Sequence, residues 1–164
     1  MRILIGSDHA GFSLKSELVR RLEERGFRVE RFGAETGESV DYPPIGRAVA
    51  HALLAAAADS TEEVRGILIC GSGIGMSISA NRIPGIRAAL CWSPELARLG
   101  REHNDANILV LPGRFLEPET AWTMVEIFLE TPFAGGRHAR RVRQLDENGE
   151  AEERERGWKT EARS

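Results

Sequence analysis

The sequence predicts an α/β protein: a doubly wound, five-stranded parallel sheet between helices, in a three-layer αβα sandwich. Three observations predict it. Five apolar runs have the length of strands. Segments with helical spacing or helix caps separate them. The chain has 164 residues, 41% hydrophobic and 29% charged, enough for one domain with a sizeable core.

Each element follows from local chemistry. "RILIG" (2–6) is a short apolar strand. Residues 13–26 carry Leu14, Leu18 and Leu22 at four-residue spacing and stop at Gly26, so they form a helix with its C-terminal signal. "FRVERFG" (27–33) alternates apolar and polar, the strand period. Pro43 and Pro44 open a helix that runs to about residue 58. The polar stretch 58–63 is a loop, and "GILIC" (66–70) is a buried strand followed by a glycine-rich loop and a short helix. "IRAALCW" (86–92) is the fourth strand. Residues 93–104 form a helix with a serine cap and a proline at its first position. "NILVLPG" (107–113) is the fifth strand, 117–130 is an amphipathic helix, and 135–149 opens a last helix. Residues 150–164 are charged and nearly without core residues, apart from Trp158.

Composition excludes several classes. A formal charge of −3 exerts no global pull toward nucleic acid or a membrane surface. Cys70 and Cys91 make no disulfide framework and no paired metal-ligand spacing, which fits a reduced, cytoplasmic setting. The apolar run Ile3–Ile5 is too short for a signal peptide, and the run at 48–58 is too short to span a bilayer.

In a sheet of this kind ligands bind at the carboxyl ends of the strands. That rule brings Asp8, His9, Cys70, Ser72 and Arg114 to one rim. The loop "CGSGIG" (70–75) sits there. It is not a dinucleotide fingerprint, because the sixth position counted from Gly71 is Met76 and from Gly73 is Ile78. Nor is it a phosphate loop, since no lysine follows Gly71 at the required spacing. What remains is an anion site, in which glycines let several N–H groups face one point. An anion site favours a thiolate over a thiol, and a thiolate beside one serves as nucleophile or base.

Bland readings stand beside these. Cys70 at a strand end also reads as a small buried hydrophobe, and Cys91 as core. His51 reads as an interface or surface residue of an alanine-rich helix. His103 reads equally as a helix cap. The basic run Arg137, His138, Arg140, Arg141 and Arg143 is what a solvated helix face looks like, although Arg137 and Arg141 share one side and suit a dianionic phosphate. A nucleic-acid reading of that run lacks any wider basic surface or aromatic platform.

Six motifs occur in order: "GSDHAG" (6–11), "DYP" (41–43), "GILICGSGIGMSISANR" (66–82), "GIRAAL" (85–90), "EHNDANILVLPGR" (102–114) and "GGRHARRV" (135–142). Together they resemble the family of B-type ribose-5-phosphate isomerases, shared with galactose-6-phosphate and allose-6-phosphate isomerases. The resemblance covers residues 1–148 and leaves a charged extension at 149–164; the stretch 55–64 is longer than the family's usual connection. It implies a Rossmann-like fold and an aldose–ketose isomerase needing no cofactor and no metal.

On this chain the resemblance makes Cys70 the base, in place of a glutamate that other members carry near Met76 or Ser77. It makes His103 the group that opens the sugar ring and Ser72 a hydroxyl beside the base. Asp8 would bind sugar hydroxyls. Gly71, Gly73 and Gly75 would form the anion hole, with Asn104 nearby, and His9, Arg114, Arg137 and Arg141 would hold the phosphate. The resemblance further implies a homodimer with shared sites, or a tetramer. Ribose 5-phosphate is the first substrate expected and a six-carbon aldose 6-phosphate the second. A non-catalytic sugar-phosphate sensor is the alternative of another class; it would need neither Cys70 nor His103. A nucleotide-binding redox protein is a third, without the fingerprint.

Overall fold

The computed structural model describes residues 1–59 and 62–147. Five parallel strands form one sheet in the order β2-β1-β3-β5-β4. They are β1 (Arg2–Ser7), β2 (Arg28–Gly33), β3 (Val64–Cys70), β4 (Ala88–Leu90) and β5 (Ile108–Pro112). Six helices accompany them: α1 (Phe12–Glu24), α2 (Tyr42–Asp59), α3 (Ile74–Ala80), α4 (Pro94–Asn104), α5 (Pro118–Glu130) and α6 (Gly136–Asp146). The doubly wound α/β expectation holds. The charged extension at 149–164, with Trp158, lies outside the described residues.

The three central strands β1, β3 and β5 are buried on both sides, so their side chains divide between two cores. Ile3, Ile5, Ile67, Ile69, Leu109 and Leu111 face α1, α4 and α5, around the fully buried Phe128. Leu4, Leu68, Ile108 and Val110 face α2 and α3, with Val49 and Met76. Burying one such side chain stabilises the fold by about 1.5–3 kcal/mol. Continuous apolar runs are what a parallel sheet covered on both faces requires.

Several boundaries differ from the sequence reading, each for a local reason. Asp8 caps a 3-10 turn at His9–Gly11, so helical structure begins before residue 12. β4 is only three residues long, against the seven expected. It is an edge strand, and the Asn81 side chain takes the place of a further neighbour: its amide donates to the Ala88 carbonyl at 2.9 Å and its carbonyl accepts from the Ala88 N–H at 2.8 Å. Cys91 is core, as expected, and burial pushes its thiol up to about 11. His51 lies exposed on α2. Lys15 of α1 is a buried cation; it donates to the Phe32 carbonyl at 3.0 Å, which fastens α1 to the end of β2.

Candidate active site

The chain reverses its lateral direction between β1 and β3. From β1 it moves outward to β2, then returns to the other side of β1 for β3. The carboxyl edge at such a switch point is where open α/β sheets bind ligands. A cleft of about 570 Å³ lies there, lined by Asp8, His9, Tyr42, Cys70, Gly71, Ser72, Gly75 and Arg114, with Ile74, Ile78 and Phe115.

Backbone bonds pin the floor. The Cys70 carbonyl, at the end of β3, accepts the Gly113 N–H at 2.9 Å, and the Gly71 carbonyl accepts the Arg114 N–H at 3.1 Å. The two loops that leave β3 and β5 therefore move as one piece. The Arg114 side chain passes over Gly71: a Cβ there would stand 3.4 Å from its Nε. Gly73 takes φ of 75° at the start of α3, and a side chain on it would meet Leu90 at 2.4 Å. Only glycine makes that turn without strain. The first N–H groups of α3 have no intrahelical acceptor; the Ser72 hydroxyl accepts that of Ile74 at 3.4 Å.

The polar side chains are partly committed. One Asp8 carboxylate oxygen accepts the Gly11 N–H at 3.0 Å. His9 Nδ1 accepts the Val40 N–H at 3.4 Å, which puts the proton of a neutral His9 ring on Nε2. Cys70 is 4% exposed. Met76 is wholly buried and the Ser77 hydroxyl donates to the Ala88 carbonyl, so neither position reaches the cleft.

The remaining candidates stand elsewhere. α4 runs back from the carboxyl edge, so His103 and Asn104 at its end lie at the amino edge of the sheet, beside the start of β5. β5 alone separates the two edges by about 13 Å, at about 3.3 Å per residue. Arg137 and Arg141 are exposed on α6, which packs against α4. The rings of His103 and His138 stack there, with centroids 4.2 Å apart and planes 5° apart. His138 is held below the usual histidine value, first by burial and then by the neighbouring His103, Arg137 and Arg141.

This amino-edge group is braced by ion pairs. Asp105, in the left-handed conformation at φ of 47°, ends α4. Its carboxylate takes Arg87 at 3.0 Å and Arg101 at 2.8 Å. Arg87 also reaches Asp146 at the end of α6, at 3.0 Å.

Sequence reasoning missed Tyr42 as a wall of the cleft. A Cβ on Gly75 would lie 2.5 Å from its ring, so Gly75 and Tyr42 fit only as a pair. The signal was the tyrosine before the two prolines that open α2. Sequence reasoning also missed the brace on Arg87. Among the described residues no group of three His, Cys, Asp or Glu side chains is arranged to hold a metal ion, and no helix is long and apolar enough to cross a membrane.

Comparison with known proteins agrees with this architecture. The model of a family described as Ribose/Galactose Isomerase matches residues 3–145. Ribose-5-phosphate isomerase B of Escherichia coli is 42% identical over 144 residues, 88% of this chain and 93% of that protein. The crystal structure of a ribose 5-phosphate isomerase from Thermotoga maritima is 53% identical and superposes with a TM-score of 0.83, over 89% of this chain and 97% of that one. Ribose-5-phosphate isomerase B of Mycoplasma genitalium, solved with bound ribulose-5-phosphate, is 36% identical with a TM-score of 0.83, over 88% and 93% of the two chains. With its matched segment running from the first strand to the last helix, the chain belongs to the ribose/galactose isomerase family.

Proposed function

We propose that this protein interconverts ribose 5-phosphate and ribulose 5-phosphate through an enediolate. The observation that carries the reading is one cleft holding a thiol, a glycine-lined wall and a guanidinium, at the switch point of an isomerase-family fold. The five-carbon choice is supported by relatives named ribose-5-phosphate isomerase and by ribulose-5-phosphate in one of them.

The residues divide the work. Ring opening breaks the C1–O4 bond, forms the C1 carbonyl and moves a proton from O1 to O4; His103 handles that proton, since imidazole titrates near neutrality. The Cys70 thiolate takes the proton from carbon 2 and returns it to carbon 1, while the proton on O2 passes to O1 as the carbon 2 carbonyl forms. Such acid–base help is worth roughly 10²–10⁴-fold. Negative charge then develops on O1, where N–H groups of the Gly71–Gly75 loop and Ser72 receive it; one such donor is worth about 10²–10³ in rate. Asp8 and Asn104 hold hydroxyls, and His9, Arg114, Arg137 and Arg141 hold the phosphate. No step calls for a metal or a cofactor.

The site is shared by two copies of the chain. Cys70 and Arg114 stand at one edge of the sheet, His103, Asn104 and the α6 arginines at the other. A second copy that lays its amino-edge group over the cleft unites them. The rim suits such a partner: Ile74, Ile78 and Phe115 are 54%, 53% and 75% exposed.

The test is direct. Purified protein is incubated with ribose 5-phosphate, allose 6-phosphate and galactose 6-phosphate, and each ketose is measured. Conversion of the pentose phosphate alone, or fastest, is expected. Binding without turnover of any of them would favour a sugar-phosphate sensor.

A further inference from the structure

His138 entered the sequence reading as one member of a basic run. In the structure it does something its neighbours do not. Its ring lies flat on that of His103, 4.2 Å away and within 5° of parallel. Arg137 Nε–H donates to its Nε2 at 3.4 Å. A nitrogen that accepts from a guanidinium carries no proton, so His138 sits there as the neutral ring with its proton on Nδ1.

We propose that His138 is a positioning residue for the ring-opening step: stacked on His103 and held by Arg137, it sets the plane of the His103 imidazole. The inference rests on the isomerase reading above. The surroundings explain why a ring is needed. His103 and Asn104 occupy the last positions of α4, where nothing follows in the helix to hold a side chain. Among the described residues, the carboxylate within ion-pair distance of His103 is Glu102, 3.9 Å from its Nε2 and already paired with Arg98. Glu95, two turns back, is likewise paired with Arg98. On α6 the facing groups are Arg137 and Arg141. Neither ion pair fixes the tilt of an imidazole; a parallel face does. The Ala134 N–H bonds to the Glu102 carbonyl at 3.0 Å, just before α6, and holds the two elements in register.

The same contact links two ends of the substrate. Arg137 both grips the phosphate, in the proposed function, and anchors His138. An arginine drawn to the phosphate therefore carries the stack, and with it His103, toward the sugar ring.

Wild-type turnover of ribose 5-phosphate is measured first, and its absence overturns the isomerase reading itself. His138→Ala and His138→Phe are then compared in two assays. Conversion of ribose 5-phosphate needs ring opening. Exchange of solvent deuterium into ribulose 5-phosphate, an open-chain ketose, needs only proton transfer at carbon 1. His138→Ala is expected to lower the first rate about tenfold and leave the second within about twofold. His138→Phe, which keeps a flat ring, is expected to retain the first rate within about threefold. Equal loss in both assays means a merely structural histidine and overturns the proposal. So does an unchanged first rate in His138→Ala, or His138→Phe as slow as His138→Ala. Should His138→Ala not fold, His138→Leu replaces it as the variant without a flat ring.

Discussion

The two edges of the sheet are built by opposite means. At the carboxyl edge the cleft is made of backbone: glycines, a strand end and loops tied by main-chain bonds, with Cys70 almost wholly buried. At the amino edge the functional groups are long or flat side chains on helix surfaces. α6 buries a single residue, Val142, and is held by the Arg87–Asp146 pair, the histidine stack and the bond from Ala134 to Glu102. The first edge is rigid because its geometry is the fold's own. The second is held by contacts worth little apiece, since exposed ion pairs contribute at most about 1 kcal/mol. The difference teaches how, under the proposed function, one chain would carry two halves of a site that a second copy completes. In that proposal the half that generates charge is preorganised, and the half that grips the substrate stays adjustable.

The largest effect follows from the separation of the halves. Cys70→Ala and His103→Asn are each expected to cost roughly 10²–10⁴ in kcat for ribose 5-phosphate. Mixing the two variants under subunit exchange breaks or sharpens the comparison. If the halves meet only between chains, a hybrid dimer has one site with both native groups and one with neither. With half of the dimers hybrid, about a quarter of wild-type activity returns. If each chain supplied both groups to its own site, every hybrid site would lack one and nothing would return.

What the sequence revealed follows the same division. The strands were legible because burial on both faces writes continuous apolar runs, as in β3 and β5. The cleft residues were legible because strand ends point to one rim, which located Asp8, His9, Cys70, Ser72 and Arg114 without a map of the helices. The amino edge was not legible in that way. His103 and His138 lie 35 positions apart, and their stack depends on how α6 docks on α4. The brace through Arg87 joins the residue before β4, the end of α4 and the end of α6, three places whose contact has no local pattern. Tyr42 was overlooked because its role exists only against the missing side chain of Gly75.

A smaller effect tests the preorganised edge. Gly75→Ala places a methyl group 2.5 Å from the Tyr42 ring, and one of them must move. Tyr42 is 40% exposed and is free to swing out, so the cost in stability should be about 1 kcal/mol, at the low end for overpacking. The cost in activity should be greater, about tenfold, because the ring leaves the wall of the cleft. Thermal denaturation and kcat/KM measured on the same preparation separate the two. The double variant Gly75→Ala/Tyr42→Ala should regain the lost stability but not the lost activity. Recovery of both would show that Tyr42 merely fills space.

The smallest effect belongs to the adjustable edge and depends on pH. In the folded chain His138 is held below the ordinary histidine value, first by burial and then by the neighbouring His103, Arg137 and Arg141. In the unfolded chain it titrates near about 6.5. As pH falls through that value the unfolded state takes up the proton first, so unfolding is favoured and stability declines. Above it both states are neutral at this position and the contribution is flat. The melting temperature of the wild type should therefore drop relative to that of His138→Phe between about pH 7 and pH 5.5, and the two should run parallel above about pH 7.5. The sign is the test. Protonation of His138 in the folded state would put a fourth cation among Arg137, Arg141 and Arg98, with Glu102 and Glu95 already paired to Arg98. A wild type that instead gained on the phenylalanine variant as pH fell would mean that His138 finds a carboxylate in the folded protein, and the neutral stack would have to be abandoned.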